Sequence, residues 1–280
     1  MLRLRLLALL CCVSYAAGCA TLSDEKSSAQ VVFVTTPHKA VSRMLQLAGT
    51  TRTDIVYDLG SGDGRIVIAA AREFGARGVG VEIDPKLIQE SEENARSAGV
   101  DNRVRFVQKD LFQVDLREAT VVTLFLLPGL NEMLVPKFMK ELRPGTRIVS
   151  HMFDMGEWQP DKTIKVESSI LYYWVLPADV AGTWLLEIPT AQGVGPLTLS
   201  IRQTYQKLGG SLRLQRRRLD LREPRIEGEK LSFVAAGTVD GEVVQMSFSG
   251  SVRDDVATGR VEIKGGPRTG THEWTAQRTP

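Results

Sequence analysis

The chain of 280 residues holds only three cysteines, Cys11, Cys12 and Cys19, all close to the N-terminus. This excludes a disulfide framework and a cysteine-built zinc site in the body of the protein. A dominant charge sign is also missing. Lys and Arg number 35 against 33 Asp and Glu, a net charge of +2, which provides no basic field for gripping nucleic acid. No apolar run reaches the ~20 residues that a membrane-crossing helix needs. With hydrophobic residues at 43% and charged residues at 24%, disordered, collagen-like and multispan membrane chains are excluded as well. The length leaves room for two domains of roughly 100–200 residues each.

The N-terminus stands apart. Arg3 and Arg5 precede the short apolar stretch Leu6 to Tyr15, followed by Ala16-Ala17-Gly18-Cys19, the layout of a cleaved secretion signal. The small-small-Cys ending resembles a bacterial lipobox, although Ala16 stands where Leu is usual. It implies acylation of Cys19, a polar tether over residues 20–30, and a lipid-anchored protein of the cell envelope. The alternatives are a plain secretory signal, or a cytoplasmic protein whose signal is not used.

Beyond the tether the text falls into two parts. From residue 31 to 177, strand-like runs at 54–59, 78–83, 104–108, 120–127 and 146–152 alternate with helical periods at 65–74, 85–98 and 130–142. A further helix at 38–47 precedes them, and Pro136 is expected to kink the last. Such alternation predicts a parallel α/β sheet, ended by a hairpin over 162–176. From 182 to 280 no useful helical period appears. Seven short alternating runs, at 183–188, 197–205, 212–216, 231–236, 243–248, 259–263 and 272–276, are parted by turns at Gly209-Gly210, Asp240-Gly241 and Gly265-Gly266. This predicts a small antiparallel barrel or sandwich.

Chemistry is expected at the exit of the first strand, where Asp58-Leu59-Gly60-Ser61-Gly62-Asp63-Gly64 leads into a helix. Glycines there let backbone approach a ligand, and the helix start offers free N–H groups. A dinucleotide fingerprint requires a third glycine where Arg65 stands, so NAD and FAD are disfavoured. Glu82 ends the second strand, where a carboxylate can accept ribose hydroxyls, and Asp110 ends the third.

The GxGxG loop with its leading acid resembles motif I of class I S-adenosylmethionine-dependent methyltransferases. The stretch from Val56 to Ala71 is similar to the mitochondrial protein-lysine methyltransferases that modify the ATP synthase c-ring protein and the adenine nucleotide translocase, as are Thr35-Thr36-Pro37 and Trp158-Gln159-Pro160-Asp161. The resemblance covers about half the chain. It implies a Rossmann-like sheet, S-adenosyl-L-methionine as cofactor, no metal, and a protein lysine as methyl acceptor. Cofactor contacts are implied at Asp58, Gly60, Ser61, Gly62, Asp63, Gly64, Glu82, Ile83, Asp110 and Leu111. The fourth-strand exit, Phe125-Leu126-Leu127-Pro128-Gly129, lacks the Asn-Pro-Pro-Tyr signature of enzymes that methylate amide or base nitrogens. Acceptor-pocket candidates are Pro128, Asn131, His151 and Trp158, with simple packing the competing role for His151 and Trp158. A silent methyltransferase scaffold used as a binding module and a small-molecule methyltransferase stay open as alternatives.

Overall fold

The computed structural model describes residues 35–189, 197–214, 217–239 and 241–279. The signal, Cys19 and the tether lie outside them. Helix α1 (His38–Leu47) precedes β1 (Ile55–Leu59), α2 (Arg65–Phe74), β2 (Arg77–Glu82), α3 (Pro85–Ser97) and β3 (Val104–Gln108). Then follow β4 (Val121–Leu124), α4 (Pro128–Glu141), β5 (Arg147–His151) and the hairpin β6 (Lys162–Val166) and β7 (Ser169–Val175). These strands form one sheet in the order β3-β2-β1-β4-β5-β7-β6. The first five are parallel, while β7 runs antiparallel to both β5 and β6. The order reverses at β1, which places the crevice for a ligand at its carboxyl end.

Local chemistry explains the helices. Pro85 is the first residue of α3, and the Asp84 side chain caps it by accepting from the Lys86 N–H, as expected for this pairing. Gly75 closes α2 in the left-handed conformation, with its N–H on the Ala71 carbonyl. The buried Ala69 and Ala70 let α2 press on the sheet beside Val56, Val121 and Val149. On the other sheet face α4 buries Leu134, Val135 and Phe138 against Leu124, Ile148 and Trp158. Helix α4 runs on through Pro136 and starts two residues before its expected onset, with Pro128 in its first turn.

After residue 181 all described elements are strands: β8 (Gly182–Glu187), β9 (Leu197–Thr204), β10 (Lys207–Leu214), β11 (Arg217–Glu227), β12 (Lys230–Val239), β13 (Glu242–Arg253), β14 (Val256–Lys264) and β15 (Gly270–Arg278). They close into an eight-stranded antiparallel barrel, filled by Trp184, Trp274, Phe233, Phe248 and aliphatic neighbours.

Two sequence expectations need correction here. Strand β11 went unseen because its inward residues break step: Leu219 and Ile226 are both buried although seven positions apart. A register shift between Arg222 and Arg225, beside Glu223 with φ 48°, supplies the extra residue. A bulge of this kind erases period-two alternation. Gly209-Gly210 is not a turn either. Both lie inside β10, where a side chain on Gly210 would stand 2.0 Å from the Ser200 carbonyl oxygen. The turn lies upstream, at Tyr205-Gln206.

Candidate active site

The loop leaving β1 folds back on β2. The Gly60 and Ser61 N–H groups both donate to the Val81 carbonyl, at 2.8 and 3.0 Å, and Gly64 N–H donates to the Ser61 carbonyl. Gly60, Gly62 and Gly64 have φ of 81°, 53° and 79°, a region that side chains rarely occupy. The spacing of the glycines is therefore a backbone requirement. At Gly64 the bare backbone admits the Phe106 ring, which a side chain there would meet at 2.7 Å.

Two of the sequence-predicted acids, Asp58 and Glu82, meet this loop, and the third, Asp110, stands past the end of β3. Asp58 is buried and accepts from Thr123 Oγ1 at 2.8 Å. Burial pushes its carboxyl up to about 7, against the hydrogen bond from Thr123 and with help from the charges of Asp63 and Glu82. Glu82 bridges two loops: Gly62 N–H donates to one oxygen at 3.0 Å, while Ile83 and Asp84 N–H donate to the other at 2.8 and 3.1 Å. Asp110 accepts from Phe112 N–H at 2.9 Å, next to the half-buried Leu111. Ile83 is 68% exposed, an apolar shelf beside the Glu82 carboxylate. Ser61 is buried, and its Oγ has no partner among the described residues.

Asp63 is engaged differently. Arg65 Nε donates to both its oxygens, at 2.9 and 3.0 Å, Nη2 donates to Oδ2, and Arg65 N–H adds a fourth bond at 3.2 Å. Burial alone would raise this carboxyl, but the Arg65 hydrogen bonds and charge outweigh it and hold it below the usual range. Arg65 also donates from Nη1 to the Thr36 carbonyl at 3.0 Å. Asp63 thus ties the loop to the segment ahead of α1.

The four acceptor-side candidates divide. Pro128 is exposed at the start of α4. Asn131, His151 and Trp158 are 0%, 3% and 0% exposed, so they underlie that face and do not line an open channel. Asn131 Nδ2 donates to Ser150 Oγ and to the Phe153 and Asp154 carbonyls, between 3.1 and 3.2 Å, pinning the β5 exit to α4. His151 lies between Thr36 Oγ1 and Ser169 Oγ, and burial lowers its pKa. Trp158 packs on Trp174 and Tyr205. Sequence reading missed the apolar groups here: the half-buried Phe125 and Phe153 stack with centroids 6.5 Å apart, and the half-buried Leu126 and exposed Leu127 follow Phe125 in the chain. Their signal was the apolar strand exit itself, which carries no polar motif. A cavity of about 260 Å³ bounded by Arg77, Asn102 and Arg105 lies at the opposite, amino edge of the sheet and plays no part in this site.

A parallel sheet reversing at β1, a glycine loop at that switch point and acids at the next two strand exits define a class I methyltransferase-type centre. Comparison with known proteins agrees. A family model described as the ANTKMT methyltransferase domain matches residues 58–162. A protein-lysine N-methyltransferase from Saccharolobus islandicus is 51% identical over 146 residues, which make up 52% of this chain and 91% of that one. An adenine nucleotide translocase lysine N-methyltransferase from Mus musculus is 39% identical over 132 residues, 47% of this chain and 57% of that one. The match therefore spans little more than half the length of that animal relative. A crystal structure described as an RNA methyltransferase from Salinibacter ruber, in complex with S-adenosyl-L-homocysteine, shares 55% identity with a TM-score of 0.52. It covers 52% of this chain and 96% of its own.

The chain belongs to this methyltransferase family and is an S-adenosylmethionine-dependent enzyme. The site fits that cofactor on its own observations: Gly60 leaves its backbone exposed at the end of β1, and the exposed Ile83 stands beside the Glu82 carboxylate at the end of β2.

Proposed function

We propose that the enzyme methylates the side-chain amine of a protein lysine. The observation that carries this reading is the 51% identity over nine-tenths of a protein-lysine N-methyltransferase. The near-neutral charge and the missing Asn-Pro-Pro-Tyr signature weigh against a nucleic-acid base or an amide, although a relative of similar identity is described as an RNA methyltransferase. The intact glycine loop and acids weigh against a silent scaffold.

In this reading Glu82 accepts the two ribose hydroxyls and Ile83 packs on the adenine. Asp110 and Leu111 meet its edge, and Asp58 with the residue 60–64 backbone holds the amino-acid end. S-adenosylmethionine supplies an already activated methyl group. With the cofactor bound, a neutral lysine Nζ would take the methyl from the sulfonium, leaving methyl-lysine and S-adenosylhomocysteine, and the amine proton would pass to solvent. The protein contributes alignment above all. Phe125, Leu126, Leu127 and Phe153 form an apolar surround that favours the neutral, nucleophilic amine.

The test is transfer of labelled methyl from S-adenosylmethionine to a whole-cell extract, followed by separation and acid hydrolysis. Label in methyl-lysine supports the reading, while label confined to RNA overturns it.

We further propose that Cys19 carries a lipid anchor and that the enzyme resides at the cell envelope. The support is the basic, apolar and small-small-Cys succession of the first 19 residues. Among the described residues no helix is long and apolar enough to cross a membrane.

A further inference from the structure

The barrel meets the methyltransferase half at two of its hairpin turns: Gly228, between β11 and β12, lies against Gly145 and accepts from Ala178 N–H, and the other is the turn between β9 and β10. Strands β9 and β10 pair up to Thr204 and Lys207, leaving Tyr205-Gln206 as a two-residue turn. Tyr205 has φ 54° and Gln206 is not in the positive region, a pattern that favours glycine at the first position. A tyrosine there strains the backbone, and the hairpin itself gains nothing from the ring.

The ring's contact is elsewhere. It stacks on Trp158 with centroids 5.7 Å apart and planes 16° from parallel. Trp158 in turn packs on Trp174, whose Nε1 donates to the Trp158 carbonyl at 2.8 Å. The next residue, Gln206, donates from Nε2 to the Gln159 carbonyl at 2.6 Å and to Asp161 Oδ1 at 3.2 Å. Gln203 holds the turn from behind, donating to the Tyr205 and Ala178 carbonyls and accepting from Val180 N–H. The ring stacking of Tyr205 and both of these Gln206 hydrogen bonds therefore fall on residues 158–161, the end of the loop that leaves β5. The start of that loop is pinned by Asn131 at the Phe153 and Asp154 carbonyls, and the Phe153 ring belongs to the apolar acceptor face proposed above.

The Saccharolobus relative has nine-tenths of its length matched by about half of this chain, which leaves it no length for an eight-stranded barrel. The same domain thus functions elsewhere without this clamp. We propose that Tyr205 is a positioning residue, through which the barrel holds the loop of residues 152–161 in place and so shapes the acceptor side of the active site. The acceptor-side part of this statement rests on the lysine reading above. The clamp itself does not.

The experiment is hydrogen exchange on the full chain, paired with calorimetric binding of S-adenosylhomocysteine. Tyr205→Ala is expected to speed exchange at residues 152–161 roughly tenfold, as loss of one aromatic pair and its local order implies. Residues 60–64 and 82–84 should keep their protection and the affinity should change less than about twofold. Tyr205→Phe keeps the ring and should restore protection. Gln206→Ala, at a half-buried position, removes the bonds to Gln159 and Asp161 while leaving the aromatic packing in place, and should loosen the same loop if Tyr205→Ala fails to fold. Unchanged exchange at 152–161 in the foldable variants overturns the proposal. So does a uniform rise over the whole sheet with a matching loss of affinity, which marks simple core filling. No methyl acceptor is used, so failure of the lysine reading and failure of the clamp remain distinguishable.

Discussion

Thr36 Oγ1 lies 3.2 Å from His151 Nδ1, joining the segment ahead of the first helix to the carboxyl end of β5. The opposite ring nitrogen is 2.9 Å from Ser169 Oγ, and Phe125 packs 4.2 Å away. With Arg65 holding the Thr36 carbonyl, this segment is stitched to both the glycine loop and the acceptor side.

Thr36→Val should cost about 1–2 kcal/mol, because it leaves a buried imidazole nitrogen without its partner. Melting temperature would fall by about 2–5 °C in a domain of this size, read by calorimetry. Burial lowers the His151 pKa below 6.5. Its contribution to stability is present above pH 6.5 and is lost as the pH falls from 6.5 through the lowered value. A nuclear magnetic resonance titration that found His151 protonated at pH 7 would contradict this arrangement.

The cofactor assignment predicts that S-adenosylmethionine and S-adenosylhomocysteine bind the chain lacking residues 1–19 and that NAD does not. Glu82→Ala removes a carboxylate that already holds the N–H groups of Gly62, Ile83 and Asp84, so it loses ligand contacts and loop order together. At about 1.5–3 kcal/mol per charged hydrogen bond, affinity should drop at least tenfold. Gly62→Val should do the same by forcing a branched side chain to φ 53°. Full affinity in both variants would remove Glu82 and the loop from the site.

Asp58 gives the apo enzyme a pH dependence of its own. Its carboxyl has an ordinary value of 3.8 and titrates near 7 when folded, so the folded state prefers the proton. The associated stability is complete below pH 3.8, is lost as the pH rises to about 7 and changes no further above it. Asp58→Asn, which cannot ionise, should therefore gain in melting temperature over the parent as the pH goes from 4 to 7. A difference that stays constant across that range would mean Asp58 is ionised throughout.

If Cys19 is acylated, Cys19→Ala should move the protein from the membrane to the soluble fraction. Acyl chains contribute about 0.8 kcal/mol per buried CH₂, and two or more anchor stably. Retention in the membrane fraction after this change would exclude the lipid as the anchor.

Much of the α/β half was legible because its punctuation is local. Pro37, Gly75, Pro85 and Gly99 bracket helices, and α1, α2 and β3 begin and end where the sequence predicts. The glycine loop with Asp58 could be read for the same reason, since its conformation is encoded residue by residue. Asp63 is expected from its place in the loop either to meet the cofactor or to pair with Arg65, and its carboxylate accepts from Arg65. The Thr36–His151 and Trp158–Tyr205 contacts join distant stretches with no shared pattern. In the barrel, one bulge hid β11 and two glycines inside a strand passed for a turn.

The last prediction concerns cutting the chain. Strand β7 ends at Val175 and β8 begins at Gly182, and a chain of residues 20–180 keeps every strand of the seven-stranded sheet. It should fold and bind S-adenosylhomocysteine, since Asp58, Glu82, Asp110 and the glycine loop all lie within it. It should also melt lower than the full chain. Truncation uncovers the Trp158 face where Tyr205 stacks, removes the Gln206 bonds to residues 159 and 161, and frees the Ala178 N–H that donates to the Gly228 carbonyl at 2.8 Å. An aromatic pair is worth about 0.5–1.5 kcal/mol beyond its buried area and each hydrogen bond about 0.5–1.5, which sums to a drop of several degrees. Residues 182–280 alone should give strand-type circular dichroism and no heat with the cofactor. Loss of cofactor affinity in the 20–180 chain at temperatures where it remains folded would place part of the cofactor site on the barrel and overturn the assignment of binding to the first half.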